Sequence, residues 1–117
     1  MISRFVVVVR TAAVDATVAF YRDVLGGEVS GAHGRATFLQ IGPGVVEVLA
    51  DEAGAPPRVD PETTMLALEV DSLDGWTDHL RASDAPLLYG PIALEGGGES
   101  LGTSDPNGVS VNLFTVP

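Results

Sequence analysis

Few side chains in this sequence are equipped for chemistry, and they are scattered. Glu47 sits in "VVEVLA", a carboxylate inside an apolar run. Such a group can help hold a divalent cation if other ligands join it, or act as a general base in a dry cavity. His33 lies in a Gly-flanked hairpin region and His79 on the side of a helical segment opposite its apolar stripe. Both read as solvated residues. Ser100, Ser104 and Ser110 have no nearby signature of an activated nucleophile. The run "EGGGES", Glu95 to Ser100, lacks the following strand-to-helix context of a phosphate loop and reads as a flexible rim. There is no Cys, which removes disulfides, thiolate metal sites and thiol nucleophiles together.

The elements that must position these groups are written twice. Ile2 to Arg10 is a β-branched run of strand length. In "TAAVDATVAFYRDVLGG" the period changes: Val14, Val18, Tyr21 and Leu25 make one helical stripe, Thr11 can cap it, and Gly26-Gly27 stop it. The strands "GEVSGAH", "RATFLQIG" and "VVEVLA" follow. A Pro, Gly and acid-rich stretch has no periodicity and reads as a linker, about residues 51–63. The pattern then restarts. "TMLALEV" is a strand, Ser72 can cap the helix "LDGWTDHLRAS", and "APLLYG", "ESLGTS" and "VSVNLF" are three more strands. The order is βαβββ (about 1–50), linker, βαβββ (about 64–117), an internal duplication within one domain. The expected fold class is α+β: two βαβββ repeats forming a curved eight-stranded mixed sheet, with both helices on its convex face.

Bulk properties narrow the function. With 117 residues the chain can bury roughly two-thirds of the surface it exposes unfolded. A formal net charge of -10 would repel phosphates, which argues against nucleic acid or an anionic membrane as partner. No apolar run approaches bilayer length, and "FVVVV" is too short for a signal core, so a cytoplasmic address is expected.

The duplicated order resembles the vicinal oxygen chelate superfamily, which groups glyoxalases, bleomycin-resistance proteins and ring-cleaving dioxygenases. "AFYRDVLGGEV" (Ala19 to Val29), "LALEVDSLDGWTDHLRAS" (Leu66 to Ser83) and "SDPNGVSVNLF" (Ser104 to Phe114) carry the resemblance, which covers essentially the whole chain. It implies a concave face where metal-using members place four ligands, on the first and last strand of each half. Carried onto this sequence, those positions are Val6, Glu47, Met65 and Asn112. Valine has no donor, Met is soft and neutral Asn is a poor ligand, so Glu47 alone is not a metal site. No metal and no cofactor are expected.

Strand alternation supplies the lining of that face. Glu47 brings Val45 and Leu49 with it, and Phe38 and Gln40 join from the preceding strand, while Leu39 and Ile41 face the core. The second half is expected to add Met65, Ala67, Glu69, Leu101, Thr103, Ser110, Asn112 and Phe114, with Tyr89 near a Gly-Pro rim. The candidate ligand-binding residues are therefore Phe38, Gln40, Glu47, Leu49, Met65, Tyr89, Leu101, Thr103, Asn112 and Phe114. A mostly apolar lining with dispersed hydrogen-bonding groups suits a drug-sized organic molecule. The pattern is similar to metal-free members that sequester antibiotics, in which two chains pair, often with exchanged halves. The expectation is a homodimer that binds an aromatic or polycyclic natural product for self-protection, with no catalytic residues. Its rivals are a divalent-metal lyase, isomerase or dioxygenase, a metal-free biosynthetic enzyme using Glu47 as base, and a bare interaction module.

Overall fold

The computed structural model describes residues 1–51 and 64–117. The expected linker therefore lies outside the described residues from position 52 onward. The chain divides into two compact units, Met1–Asp60 and Pro61–Pro117.

In the first unit the β-branched run forms β1 (Val6–Thr11), and β2 (Glu28–His33), β3 (Ala36–Ile41) and β4 (Gly44–Ala50) follow the helix. The sheet order is β1-β4-β3-β2, with β1 parallel to β4 and the other pairs antiparallel. A parallel pair needs a long crossover, and the helix lies on it. That helix, α1 (Val14–Ala19), runs into a π-helical turn at Phe20–Val24, where the Leu25 N–H donates to the Phe20 carbonyl at 3.2 Å. The buried stripe differs from the expected one. Thr17, Phe20, Tyr21 and Val24 are the buried positions, and only Tyr21 was anticipated. Thr17 tolerates full burial because its hydroxyl donates to the Ala13 carbonyl at 2.7 Å. α1 packs on β4 and the π-helical turn on β3. Beneath them lie Val9, Leu39, Val46 and Val48, the alternate residues of their strands.

The second unit repeats the plan with β5 (Met65–Glu69), α2 (Trp76–Ala82), β6 (Tyr89–Ala93), β7 (Glu99–Ser104) and β8 (Ser110–Phe114) in the order β5-β8-β7-β6. Here too the first and last strands are parallel and the others antiparallel. The α+β reading and the two βαβββ halves hold, as two four-stranded mixed sheets.

Local expectations needed adjustment. Ser72 Oγ accepts the Asp74 N–H at 3.0 Å and closes a turn, while α2 begins at Trp76 after Gly75. The sixth strand starts four residues later than "APLLYG" suggests. The Ala85 N–H still donates back to the Leu80 carbonyl at the helix end, and Pro86 has no N–H to offer a ladder. The glycine run is a tight turn rather than a loose rim. The Leu94 N–H donates to the Gly98 carbonyl at 3.0 Å, and Gly98 has φ +82. A Cβ there would also overlap the Thr115 backbone, so only glycine fits.

Candidate functional site

In an antiparallel pair, directly opposed residues point to the same side of the sheet, and this assigns each face without ambiguity. In the first sheet Phe38 opposes Glu47, Gln40 opposes Val45 and Ala36 opposes Leu49. Across the parallel pair Val8 stands beside Glu47 and Val6 beside Val45. The face away from α1 therefore carries Val8, Glu47 and Phe38 in one row, with Gly31 of β2 opposite Phe38. Phe38, Gln40, Glu47 and Leu49 share this face, as expected. Glu47 is half-buried among apolar neighbours, and its carboxylate has no hydrogen bond or ion pair among the described residues. The nearest-row cation, Arg10, is engaged elsewhere, in an ion pair with Asp51. Gln40 is exposed, and its Nε2 donates to the Gly42 carbonyl at 2.8 Å, closing the β3–β4 turn.

The second sheet repeats the row with different chemistry. Ala67 stands beside Asn112, Asn112 opposes Gly102, and Gly102 opposes Tyr89. The Tyr89 ring crosses over Gly102: a Cβ at position 102 would overlap Tyr89 Cε1 and sit 2.6 Å from Cδ1. This crossing brings the phenol to Asn112, where it donates to Oδ1, and to Ser100 Oγ at 3.0 Å. Asn112 Nδ2 in turn donates to the Met65 sulfur at 2.8 Å. Met65, Tyr89, Asn112 and Phe114 share this face with Ser100, Gly102 and Ser110.

Leu101 and Thr103 do not. They oppose Leu113 and Val111, and all four are essentially sealed from solvent. The expectation that they line Asn112's face is corrected: β7 was read one residue out of phase, which inverts every side chain. Thr103 Oγ1 is buried without a hydrogen-bond partner among the described residues. The residues missed in their place are Ser100 and Gly102. The signal was present, because Leu101 alternates with Ser100 and Gly102, and the apolar member of such a pair belongs to the core.

The loop leading into β8 fixes Asn112's strand. Asp105 is buried, and its Oδ1 accepts the N–H groups of Asn107 at 2.8 Å and Val109 at 2.9 Å. Carboxylates that accept backbone N–H groups bind them strongly, so this turn is rigid.

The donor sets do not fit a divalent metal. The register puts Val8 and Ala67 beside Glu47 and Asn112, with Val6 and Met65 one row along. None is a hard or borderline ligand, and the Asn112 oxygen already accepts from Tyr89. Among the described residues no three His, Cys, Asp or Glu side chains converge. His33 closes β2 and His79 lies on α2 beside the Trp76 ring, both exposed. Among the described residues, no helix is long and apolar enough to cross a membrane.

The family model for the Glyoxalase/Bleomycin resistance protein/Dioxygenase superfamily matches residues 4–113. The chain belongs to that superfamily. Solved structures agree in fold. An integron cassette protein from the mobile metagenome of V. cholerae is 19% identical, with 100% of this chain and 97% of that one covered and a TM-score of 0.78. A lactoylglutathione lyase from Agrobacterium tumefaciens is 22% identical, with 97% and 92% covered and a TM-score of 0.75. A glyoxalase/bleomycin resistance protein/dioxygenase family enzyme from Burkholderia phytofirmans is 20% identical, with 96% and 97% covered and a TM-score of 0.80. No curated protein matches the chain. At these identities the superfamily's fold carries over to this member, and its chemistry must come from its own residues.

Proposed function

We propose that this superfamily member binds and sequesters an aromatic or polycyclic natural product without a metal, as an antibiotic self-resistance protein acting as a cytoplasmic homodimer. The observation that carries the reading is the Tyr89 phenol laid over Gly102 and bonded to Asn112. Where a metal-binding relative would need an open donor, this chain has an aromatic ring beside an amide. Phe38 beside Glu47 repeats that pairing on the first sheet. Aromatic and apolar walls with few placed polar groups suit an organic ligand, and a chain of net charge -10 favours one that is neutral or cationic. Sequestration needs affinity and no turnover, so a missing catalytic pair is no handicap. Self-pairing would cover exposed apolar residues on the edge strands, Val29 on β2 and Ile92 on β6.

The test is a titration of Trp76 fluorescence with a panel of polycyclic antibiotics, followed by mass analysis of the recovered compound and elemental analysis of chelator-free protein. Stoichiometric binding, an unchanged compound and no tightly held metal are expected. One metal per chain accompanied by product formation overturns the reading. Size-exclusion chromatography with light scattering checks the dimer.

Glu47 favours a second reading, since a half-buried carboxylate with no partner among the described residues is placed as a general base would be. Glu47→Gln separates the two: loss of product formation with ligand affinity retained marks an enzyme.

A further inference from the structure

We propose that the open face of the second sheet recognises a carbonyl-type oxygen on a planar aromatic ligand, through an Asn112 N–H whose direction Tyr89 sets. The inference rests on the binding reading above and names the ligand chemistry of one of its faces.

A phenol has one O–H. Tyr89 donates it to Asn112 Oδ1, so in its contact with Ser100, 3.0 Å away, the serine hydroxyl must be the donor. Ser100 therefore gives to Tyr89, Tyr89 gives to Asn112, and one N–H of Asn112 gives to the Met65 sulfur. Every hydroxyl proton in this series is committed. What the series leaves for a ligand is one strong donor, the second N–H of the Asn112 amide; the Ser110 hydroxyl lies on the same face beside Met65, outside the series. With Oδ1 held by the phenol and Nδ2 turned toward a weak acceptor, the amide has no equivalent flipped state, so that N–H is presented in one sense.

The surroundings supply the other half of the recognition. One side of the Tyr89 ring lies against the Gly102 backbone, while the residue as a whole stays 37% exposed, leaving ring surface for stacking. Met65, 59% exposed, borders the same row with a polarizable thioether. A flat ring carrying a ketone, quinone or lactone oxygen satisfies both the stacking surface and the amide donor. A ring carrying only donors would have to turn to the Glu69 carboxylate, one same-face position along from Asn112's row.

Two tricyclic compounds that differ at one position test this: 9-fluorenone, with a carbonyl, and fluorene, with a methylene. The wild-type chain is expected to bind fluorenone about tenfold more tightly, the effect of one well-made hydrogen bond in a partly dry site. Tyr89→Phe keeps the ring and cuts the series. It should bring the ratio of the two affinities close to one. Ser100→Ala should lower the ratio in the same direction by less, and circular dichroism checks that both variants fold. Binding of both compounds by the wild type without preference, or a preference that survives Tyr89→Phe, overturns the inference while leaving sequestration standing. Binding of neither, along with no response to the antibiotic panel, overturns the proposed function and this inference with it.

Discussion

The two sheets have the same strand order and the same register, yet their open faces have exchanged a ring for a glycine. In the first, β3 contributes Phe38 and β2 opposes it with Gly31; in the second, β7 contributes Gly102 and β6 opposes it with Tyr89. Both edge strands are irregular at that point, between Val29 and Gly31 in one and between Tyr89 and Ile92 in the other. Bulges of this kind re-aim a side chain. Each unit thus sets one aromatic ring against the polar residue of its last strand, from opposite directions. The difference in hydroxyl decides the chemistry. Phe38 leaves Glu47 without a partner among the described residues, whereas Tyr89 ties Asn112 into a hydrogen-bonded series. A duplicated scaffold can therefore offer an acceptor on one face and a donor on the other.

Seven substitutions break or sharpen the comparison. Leu101→Ala should be the most disruptive, lowering stability by about 2–5 kcal/mol in chemical denaturation, since Leu101 is fully buried. Leu49→Ala, half-buried on the open face of the first sheet, should lose clearly less. Equal losses would mean that the assignment of faces is wrong. Next come the two β-turns. Asp105→Ala removes a buried carboxylate that accepts two backbone N–H groups and should lower stability by about 1.5–3 kcal/mol. Gln40→Ala, which loosens the exposed turn of the first sheet, should stay within about 0.5 kcal/mol. A smaller effect is expected for Tyr89→Phe, about 1 kcal/mol of lost stability. Phe38 has no such bond to lose, so Phe38→Tyr is the control for the ring exchange. Thr103→Val should leave the melting temperature unchanged or raise it by the equivalent of about 1 kcal/mol. It replaces a buried hydroxyl that has no partner among the described residues with a methyl of the same shape. A marked loss there would reveal a partner for that hydroxyl.

Much of this was legible in the chain. The duplication followed from the order of the elements, and the core-facing Leu39 and the grouping of Phe38, Gln40 and Glu47 followed from alternation. Two kinds of feature did not. The helical stripe differs because Thr17, Phe20, Tyr21 and Val24 make an i, i+3, i+4, i+7 stripe of their own, and the sequence offers both this one and that of Val14, Val18, Tyr21 and Leu25. Leu101 and Thr103 face the core because β7 is a short strand of mixed polarity, in which the alternation of Leu101 with Ser100 and Gly102 is a weak signal and the partner's register decides.

The sequence by itself determined the superfamily, the repeat and the poverty of metal ligands, because each depends on residue type and order. Only the tertiary structure decided that Tyr89 reaches Asn112 by crossing Gly102. That contact joins residues far apart in the chain, and it exists because two strands pair with a glycine where the ring must pass. No local preference encodes such a pairing; it follows from which backbones lie side by side.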